Sequence, residues 1–206
     1  NDLIASGLPY SLTIGFWAIV IAALVGIALG MAGALRRNSV PDYLAGMVGV
    51  VGIAVPIFVI GPLFQAFFSL RLGWFPVGGV NDGARSLILP VIVLALPNIA
   101  YISRLTRTSM IETLRENHVR TAKAKGIGWR RVLWRHTLTG ALLPVIAYLG
   151  PATAAIITGS ILIETVFSWP GTGFLLNSAI FQRDLPLLQG TILVLAMFFV
   201  LLNLLV

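Results

Sequence analysis

The residues able to do chemistry are few in this chain and lie far apart. The 206 residues include two histidines, His118 and His136, seven acidic residues and no cysteine. Disulfides, zinc–thiolate sites and cysteine nucleophiles are therefore excluded for this stretch. Chemistry inside a membrane needs a nucleophile beside a base, or two acids. Ser160 and Thr158 supply hydroxyls, but no long apolar segment holds a histidine or aspartate to activate them. We expect no catalytic residue, resident metal or bound cofactor.

The elements around these residues are apolar segments long enough to cross a bilayer. Hydrophobic residues make up 58% of the chain and charged residues only 10%, whereas soluble domains carry about 25% charged residues. Lipid is therefore the solvent that this composition requires. The pattern predicts an all-α polytopic membrane protein with five transmembrane helices, at about 11–35, 44–70, 87–103, 138–163 and 187–206.

The positive charges are grouped on one side of the predicted membrane. Of the 14 Lys and Arg residues, only three lie outside the loop after the first span and the loop 104–137. The positive-inside rule places these two loops in the cytoplasm. Loops 71–86 and 164–186 and the first residue are then outside, and the last residue is inside. An outside start without a signal peptide predicts a further, sixth helix at the N-terminal side. The same grouping argues against a nucleic-acid partner, despite the net charge of +7.

The loop 104–137 carries the most informative pattern. Glu116 and Arg120 are spaced for a helical ion pair in the favourable order, and Gly126 is placed to end that helix as its C′ residue. The small residues Ala122, Ala124 and Gly126 make a thin element that can enter a groove in another protein. The alternative is a basic loop that only sets topology and touches anionic lipid.

The stretch VRTAKAKG, residues 119–126, followed by ALLP, residues 141–144, resembles the "EAA" loop of ABC importer permeases. In that family this loop forms a coupling helix that docks on a cytoplasmic ATPase subunit. Arg120 stands where the generic motif has Glu, and the spacing to ALLP is longer; both departures are typical of the peptide-permease branch. The resemblance implies that the ATPase-coupling residues are Arg120, Thr121, Ala122, Lys123, Ala124, Lys125 and Gly126.

Further stretches resemble the same branch in the same order along the chain. They are IAVPIFVIG (53–61), LGWFPVGG (72–79), IETVFSWPGTG (163–173) and QRDLPLLQG (182–190). The resemblance implies a permease subunit of an ATP-driven, binding-protein-dependent importer in a bacterial or archaeal inner membrane. Its expected substrates are oligopeptides or dipeptides, with the oligopeptide type of subunit the closest. The alternative substrates are nickel, glutathione or another small solute.

The same resemblance implies the partners. They are a second homologous permease subunit, two cytoplasmic ABC ATPase subunits that bind ATP and Mg, and a periplasmic or lipid-anchored substrate-binding protein. This chain has no Walker A pattern, so it is not expected to be an enzyme itself. A channel and an ion-coupled transporter are disfavoured because charged rings and intramembrane acids are missing.

Four residues of the outer loop are predicted to line the periplasmic entrance or to contact the binding protein: Glu164, Trp169, Arg183 and Asp184. For Glu164, the alternative is that it caps or salt-bridges the re-entrant loop that follows it. For Arg183 and Asp184, the alternative is an ordinary solvated surface pair. The two histidines are predicted to be structural.

Overall fold

The computed structural model describes residues 2–205, with the backbone alone described at residues 41, 44, 45, 48, 51, 157–159 and 205. Every regular element in this range is helical, which confirms the all-α prediction. The helices are α1 (Asp2–Leu35), α2 (Val40–Ala54), α3 (Ile57–Phe64), α4 (Ala84–Thr113), α5 (Asn117–Ala124), α6 (Trp129–Arg131), α7 (Leu138–Ala141), α8 (Leu143–Gly159), α9 (Ile161–Val166), α10 (Thr172–Gln182) and α11 (Leu185–Leu205), with π-helical segments at Gln65–Arg71 and Val132–Thr137.

Three of the described helices are long and apolar enough to cross a membrane unaided. They are Asp2–Leu35, Ala84–Thr113 and Leu185–Leu204. A fourth span results if Trp129–Ala141 and Leu143–Ile156, which meet at an angle of 46°, count as one bent helix. The apolar stretch Ile57–Arg71 is shorter. Five spans therefore remain a prediction.

Prolines explain two of the breaks within the predicted spans. The predicted second span, 44–70, is interrupted between α2 and α3, where Pro56 adopts an extended conformation with φ −60° and ψ 138°. Proline has no N–H to donate and disfavours helical geometry at the residue before it. A second break lies at Leu142, between α7 and α8, two residues before Pro144, which has no N–H to donate to the Gly140 carbonyl.

The chain divides into two compact units. The first unit comprises residues 1–21, 55–96 and 150–206, and the second comprises residues 22–54 and 97–149. In the second unit α1 packs directly on α4 through two glycines. A Cβ atom at Gly26 would lie 2.8 Å from Ile102 Cβ, and one at Gly30 would lie 2.5 Å from the Ser103 carbonyl oxygen. Small residues allow such close approach of helices in lipid.

We expect Gly30→Ala to lower the stability of the protein by about 1–3 kcal/mol, the usual range for overpacking. The added methyl group would collide with backbone, which cannot move aside as a flexible side chain can. Gly46→Ala is the matched control, because nothing lies within 4 Å of a Cβ at that helical glycine. Thermal unfolding in mild detergent measures the difference. Equal midpoints for the two variants would show that α1 and α4 do not approach this closely.

Candidate functional site

The loop between α9 and α10 in the first unit is organised around one buried carboxylate. Glu164 lies in α9 and its side chain is fully shielded from solvent. Its Oε1 atom accepts hydrogen bonds from the hydroxyls of Ser11, at 2.6 Å, and Ser160, at 2.5 Å. Its Oε2 atom accepts from the backbone N–H groups of Gly173, at 2.7 Å, and Phe174, at 3.1 Å. Four donors therefore converge on a single side chain.

This carboxylate takes the place of an N-cap side chain for α10. The residue at the N-cap position is Gly171, which has no side chain to cap with. The next three backbone N–H groups are satisfied from outside the helix: that of Thr172 donates to Ser11 Oγ at 2.8 Å, and those of Gly173 and Phe174 donate to Glu164. A negative charge at this end is also favoured by the helix dipole.

The donor and acceptor roles of the hydroxyl groups in this network can be assigned. Ser11 has one proton, which it donates to Glu164. In the 2.9 Å contact between Ser11 and Thr172, Thr172 must therefore be the donor. A Cβ atom at Gly171 would collide with the Glu164 carboxylate, and one at Gly173 would lie 2.9 Å from Oε2. The two glycines of the PGTG stretch thus leave the space that the carboxylate occupies.

The turn between α9 and α10 is fixed by further contacts in the same unit. The Trp169 backbone N–H donates to the Glu164 carbonyl at 2.7 Å, and its indole N–H donates to the Tyr10 carbonyl at 3.2 Å. The Gly79 N–H donates to the Phe167 carbonyl at 2.9 Å, and a Cβ at Gly78 would be 2.5 Å from that oxygen. Loop 72–79 therefore lies directly against this turn.

The four residues predicted at the outer entrance fall into two classes. Glu164 and Trp169 are buried, so the structure favours the capping alternative for Glu164 and gives Trp169 a packing role. Ser11 and the first residues of α10 enclose the Glu164 carboxylate. Arg183 and Asp184 are exposed. Arg183 ends α10 in a left-handed conformation, and Asp184 Oδ1 accepts from the Leu187 N–H at 3.1 Å as the N-cap of α11.

In the second unit, helix α5 sits on a small apolar base. Val119 is fully buried and Ala122 is 5% exposed, and both pack with Val132 and Ile127. The helix ends at Ala124, and Gly126, two residues later, has a left-handed φ of +75°, as predicted for the C′ residue. An L side chain rarely adopts this conformation, whereas glycine does so without cost.

Burial separates the predicted coupling residues into two faces of α5. Ala122 points into the chain's own core and is not available to another protein. The other predicted coupling residues are exposed: Arg120, Thr121, Lys123, Ala124, Lys125 and Gly126. The thin outer face of α5 is therefore made by Thr121 and Ala124, with basic residues beside it.

His118 joins α5 to the segment that follows it. Its Nε2 atom lies 2.8 Å from the His136 carbonyl oxygen, and its Nδ1 atom lies 3.0 Å from Glu116 Oε2. These contacts agree with the structural role predicted for His118. They also replace the expected Glu116–Arg120 ion pair, since the Glu116 carboxylate is directed to the histidine.

A groove of ≈ 980 Å³ lies between α2 and α4 in the second unit. Apolar side chains such as Met47, Val50 and Ile53 line most of it. At its polar end Asp42 receives two hydrogen bonds from Arg107, at 2.5 Å and 2.9 Å. The hydrogen bonds from Arg107, followed by that from the Asn38 N–H, lower the pKa of Asp42 to about 2. This carboxylate therefore stays ionised throughout the physiological pH range.

Sequence reasoning missed the partners of these acidic residues. Ser11 lies 153 positions from Glu164, and Asp42 lies 65 positions from Arg107. No local spacing rule links residues so far apart. The signal that the sequence does offer is its small number of acidic residues, seven in 206. Few carboxylates near a membrane remain without a partner.

Comparison with known proteins places the chain in a transport family. The family model described as "Binding-protein-dependent transport system inner membrane component" matches residues 22–206. The oligopeptide transport system permease protein OppB of Salmonella typhimurium is 45% identical over 196 residues, covering 94% of this chain and 64% of OppB. The dipeptide transport system permease protein DppB of Bacillus subtilis is 42% identical over 191 residues, covering 93% of this chain and 62% of DppB. The chain thus spans less than two thirds of these relatives' length.

The fold agrees with this assignment. A solved structure of the MetNI methionine ABC transporter superposes with a TM-score of 0.75 at 13% identity, covering 98% of this chain and 91% of that one. At such low identity the likeness concerns the fold alone, which is that of a multi-pass helical membrane protein. The family model and the sequence relatives show that the chain belongs to the family of binding-protein-dependent transport system inner membrane components.

Proposed function

We propose that this chain forms the transmembrane path of an ATP-driven, binding-protein-dependent importer of oligopeptides or dipeptides. Two relatives with more than 40% identity bear names of oligopeptide and dipeptide permeases, which supports the substrate class. The observation that carries the mechanism is the exposed, small-residue face of α5 held on its own apolar base. Such a face can enter a groove of another protein without disturbing the fold that presents it.

In this proposal the chain crosses the membrane five times, with the basic loops in the cytoplasm. Two ATPase subunits, which hold ATP and Mg, bind α5 from the cytoplasmic side, and a second permease subunit completes the translocation path. Movement of α5 passes to the rest of the second unit through Val132, which packs on Val119 and Ala122. Arg120, Thr121, Ala124 and Lys125 are the residues we assign to ATPase contact.

On the outer side we assign Arg183 and Asp184 to binding-protein contact. Both are exposed at the junction of α10 and α11. Glu164 and Trp169 act indirectly, since they fix the loop from which this junction extends. Glu164 is therefore a positioning residue for the outer surface.

Co-purification tests the proposal. We expect the full-length protein, taken from native membranes in mild detergent, to bring ATPase subunits and a second permease with it. Ala124→Trp should reduce recovery of the ATPases without reducing the amount of this protein in the membrane, because residue 124 is exposed. Thr108→Trp, at an exposed position of α4, is the control. Undiminished ATPase recovery with Ala124→Trp would remove α5 from the interface.

A further inference from the structure

A second exposed surface follows α5 in the chain, and it faces away from the apolar base on which α5 packs. It consists of Trp129, Arg130, Arg131, Trp134 and Arg135, which we call the Trp–Arg face. All five side chains are exposed, and the two indoles are 49% and 62% accessible. Large aromatic residues left this accessible in a folded chain mark a contact surface for something outside it.

The opposite side of the same segment is firmly packed. Val132 is fully buried against Val119 and Ala122 of α5. Leu133 is packed with Met110 of α4 and Ala34 of α1. The orientation of the Trp–Arg face is therefore fixed by the core of the second unit and does not depend on side-chain flexibility.

The charges of this face are uncompensated. Within residues 2–205, neither ion pair formed by an acidic side chain includes Arg130, Arg131 or Arg135. One more positive charge is nearby, because Lys123 Nζ lies 5.0 Å from the centre of the Trp129 ring. A cation over an indole face is itself a favourable contact. The face thus combines indole rings with a cluster of positive charge, and its complement is a negatively charged, partly apolar surface.

The angle between this segment and the apolar helix that follows it indicates what kind of surface the Trp–Arg face contacts. The segment 129–141 meets Leu143–Ile156 at 46°, with the bend next to Pro144. It is therefore inclined to the direction of the span that it leads into. Tryptophan and arginine at the end of a span are the residues typical of the boundary between lipid headgroups and acyl chains.

We propose that the Trp–Arg face binds anionic phospholipid headgroups, with Trp134 at the level of the acyl-chain boundary. The segment that carries this face contacts α5 through Val132 on its buried side and through the Lys123–Trp129 pair, so bound lipid also holds α5 in place. The lipid site stands on the geometry alone. Its effect on coupling rests on the proposed function, and the two are tested by different readouts.

The direct test is quenching of tryptophan fluorescence by brominated lipids. The full-length protein with its partner subunits is placed in nanodiscs containing either brominated phosphatidylglycerol or brominated phosphatidylcholine at equal mole fraction. The difference between wild type and Trp134→Phe isolates the signal of Trp134. We expect several-fold stronger quenching of this signal by the anionic lipid, and loss of that preference in high salt, which screens surface charge.

Variants of the arginines make the test specific. Each exposed arginine near an anionic surface contributes roughly a fivefold preference, so Arg135→Gln should weaken the preference and the triple change R130Q/R131Q/R135Q should abolish it. Trp17, exposed on α1 away from this segment in the chain, is the control and should be quenched equally by both lipids. Unchanged thermal midpoints for the variants would show that their fold is intact.

Two results would overturn the proposal. Equal quenching of Trp134 by the two lipids would mean that the face has no preference for anionic headgroups. Quenching that appears only after the ATPase subunits are removed would assign the face to a protein partner. A third result would refute only the link between the lipid site and α5. In that case Trp134 keeps its preference for anionic lipid, but the rate of ATP hydrolysis does not respond to anionic lipid.

Discussion

Replacing Glu164 by alanine is expected to lower the stability of the protein by about 3–5 kcal/mol, enough to reduce its amount in the membrane severely. The substitution removes the acceptor for two hydroxyls and two backbone N–H groups in one step. Each donor left unsatisfied in a buried site costs about 1–3 kcal/mol. The total is smaller than the sum because the hydroxyls of Ser11 and Ser160 can rotate toward other partners.

The graded variant is Glu164→Gln, which keeps the size of the side chain. The amide has one acceptor oxygen and an NH₂ group that can only donate, so one pair of donors loses its partner while the other pair keeps it. We therefore expect Gln to fall between wild type and Ala. The control is Glu112→Ala, because Glu112 is an exposed glutamate. Unfolding by increasing SDS or by heat, in the same detergent for all variants, gives the order.

An equal effect of Glu164→Ala and Glu112→Ala would contradict the capping role. The hydrogen-bond network would then contribute nothing net, as happens when the cost of burying a charge cancels its bonds. A large effect of Ala with none of Gln would indicate that the volume of the side chain matters and its charge does not. Only the order wild type, Gln, Ala supports the carboxylate as the cap of α10.

Much of the architecture was predictable because it follows from local rules. Apolar length predicted helices in the regions of α1, α4 and α11, and the left-handed glycine at the end of α5 followed from its place after a run of helix formers. In each case the cause lies within a few residues of the effect.

The contacts between distant residues were not predictable in this way. The sequence leaves Glu164 with two interpretations, and the hydrogen bond that favours one of them comes from Ser11, far away in the chain. Ala122 is a second example, because its small size suits both an exposed docking face and a tight internal contact. The structure buries it against Val132, and only the position of that second segment reveals this.

The second large effect is expected from substitution of Gly126, which should reduce transport but leave folding almost unchanged. Its φ of +75° costs an ordinary L residue about 1–2 kcal/mol and a β-branched residue more. Gly126→Val should therefore shift the end of α5 away from its observed conformation roughly tenfold. Peptide uptake should fall by a similar factor, while the amount of protein in the membrane stays close to wild type because the site is exposed.

Two further variants separate backbone conformation from added bulk. Nothing lies within 4 Å of a Cβ at Gly126 or at Gly128, but Gly128 has an ordinary φ of −56°. Gly128→Val adds the same side chain two residues away without strain and should leave uptake almost unchanged. Gly126→Asn should have a mild effect, because asparagine tolerates the left-handed region better than valine does.

The comparison of ATP hydrolysis with uptake shows which step α5 serves. If Gly126→Val lowers uptake while the purified complex still hydrolyses ATP, the ATPases remain bound and the transmission of their movement has failed. If both fall together, the end of α5 is needed for docking itself. Equal uptake by Gly126→Val and Gly128→Val would mean that the left-handed end of α5 is only a consequence of the fold. The role in coupling would then belong to the exposed face formed by Thr121 and Ala124, which the Ala124→Trp variant tests separately.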